Sequence, residues 1–323
     1  MKRFAIGVDL GGTNLRVAAV DDTGTMLDKL TLATRSGGPR ESVIREMCEA
    51  IQTLRTKLAG TGQMAGIGVG VPGIIYMETG TLRQSPNLPG WENFPVRREI
   101  ESVLGTPVCL DNDANVAALG EFWLGAGKGR GSLCMVTLGT GVGGGLILDG
   151  RIWHGFLGFA GELGHMVVSE NGARCACGGQ GCLESEASAS AIVQKARKAR
   201  EALAGGRSPA LSRSVQEGRE LTAQLVFESA QSGDAACRAI LESLGRYLGI
   251  ALAGLVNTLN LPLYVIGGGV AAAWDLFSPA MFEELRRRSY VFCEGSTLVE
   301  KALLKGDAGL YGAAYLALSG DTV

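Results

Sequence analysis

FAIGVDLGGTNLRVAAV, residues 4–20, and SLCMVTLGTGVGGGLIL, residues 132–148, follow one plan. Each is an apolar β run, a Gly-Thr turn and a second β run. In the first, Phe4 to Val8 breaks at Asp9-Leu10-Gly11-Gly12-Thr13-Asn14 and Leu15 to Val20 resumes the strand pattern. In the second, Ser132 to Leu138 leads into Gly139-Thr140-Gly141-Val142-Gly143-Gly144-Gly145, and Leu146 to Leu148 continues as a strand. The repetition divides the chain into two similar halves. Glycines at such turns let backbone N–H groups point into a concavity that can hold phosphate. Two such loops facing each other across a cleft would clamp a polyphosphate. An ordinary hairpin turn uses the same glycines. Asp9 adds to the first loop an acid that makes sense where a Mg2+ lies between it and a phosphate.

The intervening chain reads as alternating elements. A turn at Asp22-Thr23-Gly24 precedes a strand near Met26 to Thr31. Glu41 to Leu58 is an amphipathic helix with Val43, Met47, Ile51, Leu54 and Leu58 on one stripe. Ile67 to Val71 is a buried strand, SPNLPGW at 85–91 is a loop, and Pro95 to Leu104 is a short helix. Asn87 in that loop either lines a polar pocket or caps the turn. Pro107 to Leu110 is a strand that runs into Asp111-Asn112-Asp113-Ala114-Asn115, with a helix expected from Val116 to about Leu124. Helix capping accounts for one acid at such a junction, but not for four polar residues within five positions. Later helices are expected over Ser190–Leu203, Glu220–Ala230 and Asp234–Leu259. Leu263 to Ile266 is a strand, followed by Gly267-Gly268-Gly269-Val270 and a helix from Ala271. A small-residue helix from Tyr311 to Leu318 closes the chain.

GELGHMVVSENGARCACGGQGCLE, residues 161–184, carries a second chemistry. His165, Cys175, Cys177 and Cys182 make a Cys3His set, which suits tetrahedral zinc. Gly178, Gly179 and Gly181 allow the tight turn that returns Cys182 to the same ion. Four protein ligands leave no open position, so the site is expected to be structural. Glu162 and Glu184 flank the set, and a bound metal would fix them relative to each other. Free thiols are usually buried in apolar surroundings, whereas these lie among Arg174, Gln180 and glycines. Cys175 and Cys177 are too close to form a comfortable disulfide.

Composition narrows the remaining classes. The chain has 323 residues, enough for two domains of about 150 each. Its net charge of −2 supplies no basic face for nucleic acid. Eight unevenly spaced cysteines do not form a secreted disulfide framework. Asp9 interrupts the N-terminal apolar run, which therefore reads as a strand rather than a leader. The most apolar stretch, Tyr247 to Leu263, carries Asn257, Thr258, Asn260 and Pro262 and is too short and too polar to span a membrane. A cytoplasmic protein with no membrane or nucleic-acid partner is expected. There is no GxxxxGK[ST] run, and the glycines at 267–269 lack GxGxxG spacing. Two Gly-Thr loops, an acid at the first and an acid cluster between the halves point to phosphoryl transfer, in which positioning and charge stabilisation carry most of the catalysis. A carboxylate would accept the proton of the attacking hydroxyl.

The motifs DLGGTN at 9–14, LDNDANVAALGE at 110–121, GTGVGGG at 139–145, GELGH at 161–165, CACGGQGCLE at 175–184 and GGGV at 267–270 resemble those of the ROK-family sugar kinases, within the actin-like ATPase superfamily. The resemblance runs from one end of the chain to the other. It implies an α/β, two-lobed actin-like ATPase (ribonuclease H-like) fold with a cleft between lobes. The small lobe would be 1–120 with a C-terminal helix 307–323 packing back on it, and the large lobe 121–306 would carry the zinc site. The hinge would lie near Gly125 to Gly131. The resemblance makes Asp113 the base that takes the proton from a sugar 6-hydroxyl. Asn87, Asn112, Asp113, Glu162, His165 and Glu184 would hold the sugar, His165 with one ring nitrogen on zinc and the other toward the hexose. Gly11, Gly12 and Thr13 match the first phosphate loop, Asp9 the acid that orients Mg2+, Thr140 and Gly141 the second phosphate loop, and Gly268 and Gly269 the adenosine motif. The implied activity is ATP-dependent hexose phosphorylation, with glucose favoured by the SPNLPGW loop and N-acetylmannosamine or N-acetylglucosamine as alternatives. A homo-dimer or tetramer is implied. The family also contains sugar-responsive repressors with an added N-terminal DNA-binding segment, for which a first strand at Phe4 leaves no room.

Overall fold

The computed structural model describes residues 2–34, 38–201, 211, 215 and 217–320. The strands are β1 Arg3–Leu10, β2 Asn14–Asp21, β3 Met26–Ala33, β4 Gln63–Val71, β5 Ile74–Tyr76, β6 Thr81–Gln84, β7 Cys109–Asn112, β8 Leu133–Leu138, β9 Val142–Leu148, β10 Arg151–Ile152, β11 Leu263–Gly267 and β12 Leu298–Lys301. The named helices are α1 Arg40–Lys57, α2 Val96–Leu104, α3 Asp113–Leu124, α4 Leu183–Ala187, α5 Ala189–Glu201, α6 Ala223–Gln231, α7 Ala235–Leu259, α8 Trp274–Arg288 and α9 Ala308–Ser319.

The repeat read from the sequence is present in the strand order. One five-stranded sheet runs β3-β2-β1-β4-β7 and the other β10-β9-β8-β11-β12. In each, the hairpin that starts the half lies beside two strands reached by longer connections. β1 pairs antiparallel with β2 and parallel with β4, and β4 pairs parallel with β7. The register sets Asp9 opposite Gly70 and Gly70 opposite Asp111. The acids of the first half therefore gather at the carboxyl ends of parallel strands, where open α/β sheets place their ligands.

Contacts divide the chain into two units. Unit 1 contains the chain up to Met135, Gly145–Gly161 and the chain from Leu303 on; unit 2 contains Val136–Gly144 and Glu162–Ala302. In unit 1, α1 and α2 cover one face of the first sheet. Met47, Ile51 and Leu54 of α1 are fully buried against Ile6, Leu10, Leu15 and Ile67 of the strands. On the other face, Leu310, Ala314 and Ala317 of α9 pack on Ala5, Ala18 and Val20. Glycine permits this approach. A Cβ on Gly7 would strike the Leu310 carbonyl, and one on Gly68 the Ala313 carbonyl. The crossing of α9 with α3 is as close: a Cβ on Gly312 would strike the Val116 carbonyl, and one on Gly120 the Ala308 carbonyl.

Several boundaries differ from the sequence expectation for local reasons. Helix α3 begins at Asp113 rather than Val116, because the Asn112 side chain accepts hydrogen bonds from the N–H groups of Ala114 and Asn115 and caps the helix there. Helix α6 begins at Ala223 rather than Glu220, where Thr222 caps it by accepting from Leu225 N–H. After Gly268 the chain makes a 3-10 turn, Gly269–Ala273, before α8 starts at Trp274 rather than Ala271. The expected helix Ser190–Leu203 is seen as α5; residues 202 and 203 lie outside the described residues, as do 321–323 of the expected helix 307–323. Residues 247–259 of the apolar stretch lie in the 25-residue α7, which, contrary to the sequence expectation, is long and apolar enough by length and composition to cross a membrane. Its apolar side chains are instead packed within unit 2, where Gly245 and Gly249 let α8 approach so closely that a Cβ at either would strike the backbone of Phe277 or Met281.

Gly312→Ala is expected to destabilise the protein by roughly 1–3 kcal/mol, as for added volume in a close-packed site, read as a lower urea midpoint. An unchanged midpoint would contradict the close crossing of α3 and α9.

Candidate active site

In unit 1 the site begins at the ends of β1 and β7. The loop Gly11–Thr13 is closed by a hydrogen bond from Gly11 N–H to the Asn14 carbonyl, 2.8 Å. Asn87 lies against it: a Cβ on Gly12 would touch the Asn87 side chain at 3.4 Å. Asp9 is buried, and its carboxylate bonds to Arg16 at 2.5 Å across the β1–β2 pair. Burial raises the Asp9 carboxyl above its ordinary value, and the Arg16 guanidinium opposes that shift. Arg16 also donates to the Gly306 carbonyl, just before α9. Gly309, in the first turn of α9, leaves room for the Asp9 carboxylate.

At the end of β7, Asp113 is half-buried at the first position of α3, and its Oδ1 accepts from Ala114 N–H at 2.9 Å. Asn112 is largely committed to the fold: its Oδ1 caps α3 and its Nδ2 donates to the Gly73 carbonyl at 3.0 Å. Asp111, fully buried, accepts at Oδ1 from Asn112 N–H at 2.7 Å and from Asn115 Nδ2 at 2.9 Å. Its Oδ2 accepts from His154 Nε2 at 2.7 Å. Sequence reasoning did not find His154. It lies 43 residues from Asp111 and belongs to no recognisable spacing. Glu121 was also missed as an anchor: wholly buried, it accepts from the N–H groups of Ala126, Leu303 and Leu304 at 2.9, 3.1 and 2.7 Å.

In unit 2 the four sulfur and nitrogen donors come together. His165 Nδ1 and the Sγ atoms of Cys175, Cys177 and Cys182 all lie within 4.8 Å of one another. Cys177 and Cys182 sulfurs are 3.7 Å apart, and Cys175 Sγ is 3.7 Å from His165 Nδ1. Tetrahedral zinc with bonds of about 2.3 Å separates two sulfurs by roughly 3.8 Å, so the donor set fits that ion. The turn at 175–179 is held by Cys175 N–H to the Gly179 carbonyl, and a Cβ on Gly179 would sit 3.3 and 3.4 Å from two of the sulfurs. Burial raises the Cys175 thiol and pushes Cys182 up to about 12, whereas the Gly179 N–H lowers Cys177. Thiols packed this way resist ionising together unless a cation balances them.

Glu162 and Glu184 stand at the edge of this cluster. His165 Nε2 is 3.7 Å from Glu162 Oε2, and Cys175 Sγ is 4.0 Å from Glu184 Oε1. Partial burial raises the Glu162 carboxyl, His165 pulls it down and Glu184 pushes it up; with 46 % of the side chain exposed, solvent screens these effects. Glu184 Oε2 accepts from Val142 N–H at 2.9 Å, and a Cβ on Gly141 would strike that carboxylate. One side chain thus joins the second Gly-Thr loop to the Cys3His cluster. Thr140 and Gly269 meet at a cavity of about 350 Å3, also lined by Ile192, Thr222, Phe227 and Val270. Gly268 approaches Leu138 so closely that a Cβ would strike its backbone. The helical lining residues carry no sequence signal, being apolar positions like any others.

The ROK family profile matches residues 5–319. A glucokinase from Halalkalibacterium halodurans is 37% identical over 316 residues, covering 97% of this chain and 94% of that protein. A crystal structure of a ROK family glucokinase from Streptomyces griseus in complex with glucose and AMPPNP superposes with a TM-score of 0.82 at 32% identity, over 98% of this chain and 100% of that one. A xylose repressor from Caldicellulosiruptor bescii is 31% identical over 97% of this chain and 78% of its own length.

Gly141→Ala is expected to cost about 1–3 kcal/mol of stability by driving the Glu184 carboxylate off Val142 N–H, and in a Glu184→Ala background that loss should largely disappear. Equal losses in both backgrounds, measured by denaturant unfolding, would refute the coupling.

Proposed function

The chain belongs to the ROK family and has the actin-like ATPase fold, and on that premise we propose that it phosphorylates the 6-hydroxyl of glucose. It is an ATP-dependent sugar kinase. The observation that supports a hexose site most directly is the placement of Glu162 and Glu184 against the Cys3His cluster. Two fixed carboxylates give direction to polyol hydroxyls, since each oxygen accepts only donors that reach it.

In this reading Asp113 is the general base, and Asn87, Asn112, Glu162, His165 and Glu184 bind the hexose. The caps on Asn112 leave it one amide hydrogen for that purpose, and Glu184 one oxygen. Gly11, Gly12, Thr13, Thr140 and Gly141 hold phosphates with their backbone, and Gly268 and Gly269 border the adenosine. Asp9 would orient Mg2+ through water with the carboxylate oxygen that Arg16 does not take. When bound, that ion supplies charge neutralisation on the phosphates. His165, Cys175, Cys177 and Cys182 would hold a structural zinc, His165 with one ring nitrogen on the ion and the other, 3.7 Å from Glu162 Oε2, toward the hexose. A cytoplasmic location and a homo-oligomer belong to the same reading.

A second reading follows from the xylose repressor relative: a regulator that binds sugar without phosphorylating it. Within the kinase reading, N-acetylmannosamine or N-acetylglucosamine could replace glucose. ADP release with Mg-ATP over a panel of glucose, N-acetylmannosamine, N-acetylglucosamine, fructose, mannose and allose separates these. Turnover with glucose is expected to exceed the rest, and Asp113→Asn is expected to bind glucose while losing turnover by roughly 10²–10⁴-fold. A preference for an N-acetyl sugar would move the specificity, and silence across the panel would favour the regulator. Elemental analysis is expected to give about one zinc per chain, with apparent binding on the order of 10 kcal/mol; folded, active protein free of zinc would remove the structural role.

A further inference from the structure

Asp113 is held in an unusual way. The two residues that flank it in the capping turn, Asn112 and Asn115, both donate to the same oxygen of Asp111, at 2.7 Å from the backbone N–H and 2.9 Å from the side-chain amide. The place of the Asp111 carboxylate is therefore felt on both sides of Asp113. Asp111 is wholly buried and has a second oxygen to satisfy, which a carboxylate can do only by accepting. His154 supplies that donor from Nε2 at 2.7 Å, with its side chain 13 % exposed. One hydrogen bond from a distant loop thus completes the anchoring of a carboxylate whose other oxygen already accepts from both sides of Asp113.

We infer that His154, acting through Asp111, is a positioning residue for Asp113. This rests on the reading of Asp113 as the general base. His154 touches no reacting atom: it holds Asp111 Oδ2, Asp111 Oδ1 holds Asn112 and Asn115, and these hold Asp113 at the first position of α3. Removing the donor leaves a buried oxygen unpaired, and the carboxylate turns to seek another partner. Asp113 then shifts by a fraction of an ångström while the nucleotide loops stay as they were.

His154→Ala is expected to lower kcat by about 10–100-fold, the loss that follows a small misplacement of a reacting group, with KM for ATP and for the sugar within about twofold. His154→Gln, whose amide nitrogen reaches where Nε2 stood, is expected to recover kcat to within about tenfold of wild type. A low-field imidazole N–H proton resonance should be present in the wild type and in Asp113→Asn, and absent in Asp111→Asn and His154→Gln. Active wild type with an equally active His154→Ala variant overturns the positioning role alone. So does a variant that loses KM for the sugar with kcat unchanged, because His154 would then serve sugar binding. Wild-type protein without turnover overturns the kinase reading and the role of the pair with it. Should His154→Ala not fold, the His154→Gln kinetics and the wild-type resonance decide: a missing resonance, or a glutamine variant as poor as Asp111→Asn, refutes the inference.

Discussion

Unit 1 depends on backbone meeting backbone. Helix α9 is seated so closely on the first sheet and on α3 that Gly7, Gly68, Gly120 and Gly312 each face a carbonyl where a Cβ would stand. Dispersion energy at such distances is collectively large, and side chains at the contact would forfeit it. The same seat places the start of α9 beside Asp9, with Gly309 leaving room for the carboxylate and Arg16 tied to both Asp9 and the Gly306 carbonyl. The packing that stabilises the unit is also what sets the acid of the first loop.

Unit 2 uses a different device. There a single carboxylate carries the connection: Glu184 takes the Val142 N–H with one oxygen and faces the cysteine cluster with the other. Helix α4, which presents Glu184, begins just after Cys182, so the Cys3His cluster sets where that helix starts. Glu186, two residues on, accepts from Ala173 N–H at 2.8 Å and pairs with Lys195 at 2.9 Å, tying the segment that leads into Cys175 to the same short helix. Five residues of helix could not stand alone in water. They are held by the cluster at one end and by these side-chain bonds along their length.

The doubled strand–turn–strand plan was legible because a Gly-Thr turn between apolar runs constrains the backbone locally. The Cys3His set was legible for the same reason, since thiol spacing and glycines announce a tight turn. Helix starts were misread where a side chain decided them: the Asn112 cap starts α3 at Asp113, three residues before the expected start, and a capping amide has no period that a sequence pattern would show. The cavity lined by Ile192, Phe227 and Val270 was illegible, because apolar residues on three separate elements carry no common pattern until they meet. His154 and the Leu303–Leu304 backbone were illegible because their partners, Asp111 and Glu121, lie 43 and more than 180 residues away.

Unit 1 is assembled from segments that the chain delivers far apart in time. The sheet that starts at Arg3 is covered on one face by α1 and α2, both within the first 104 residues, but its other face waits for α9 at Ala308–Ser319. Unit 2 needs nothing beyond Ala302. During synthesis from the N-terminus the second unit can therefore finish first, while Ala5, Ala18 and Val20 of the first stay uncovered until α9 has been made. A variant lacking α9 would leave an apolar sheet face open to any other unfinished chain, so α9 guards against aggregation as much as it completes the fold.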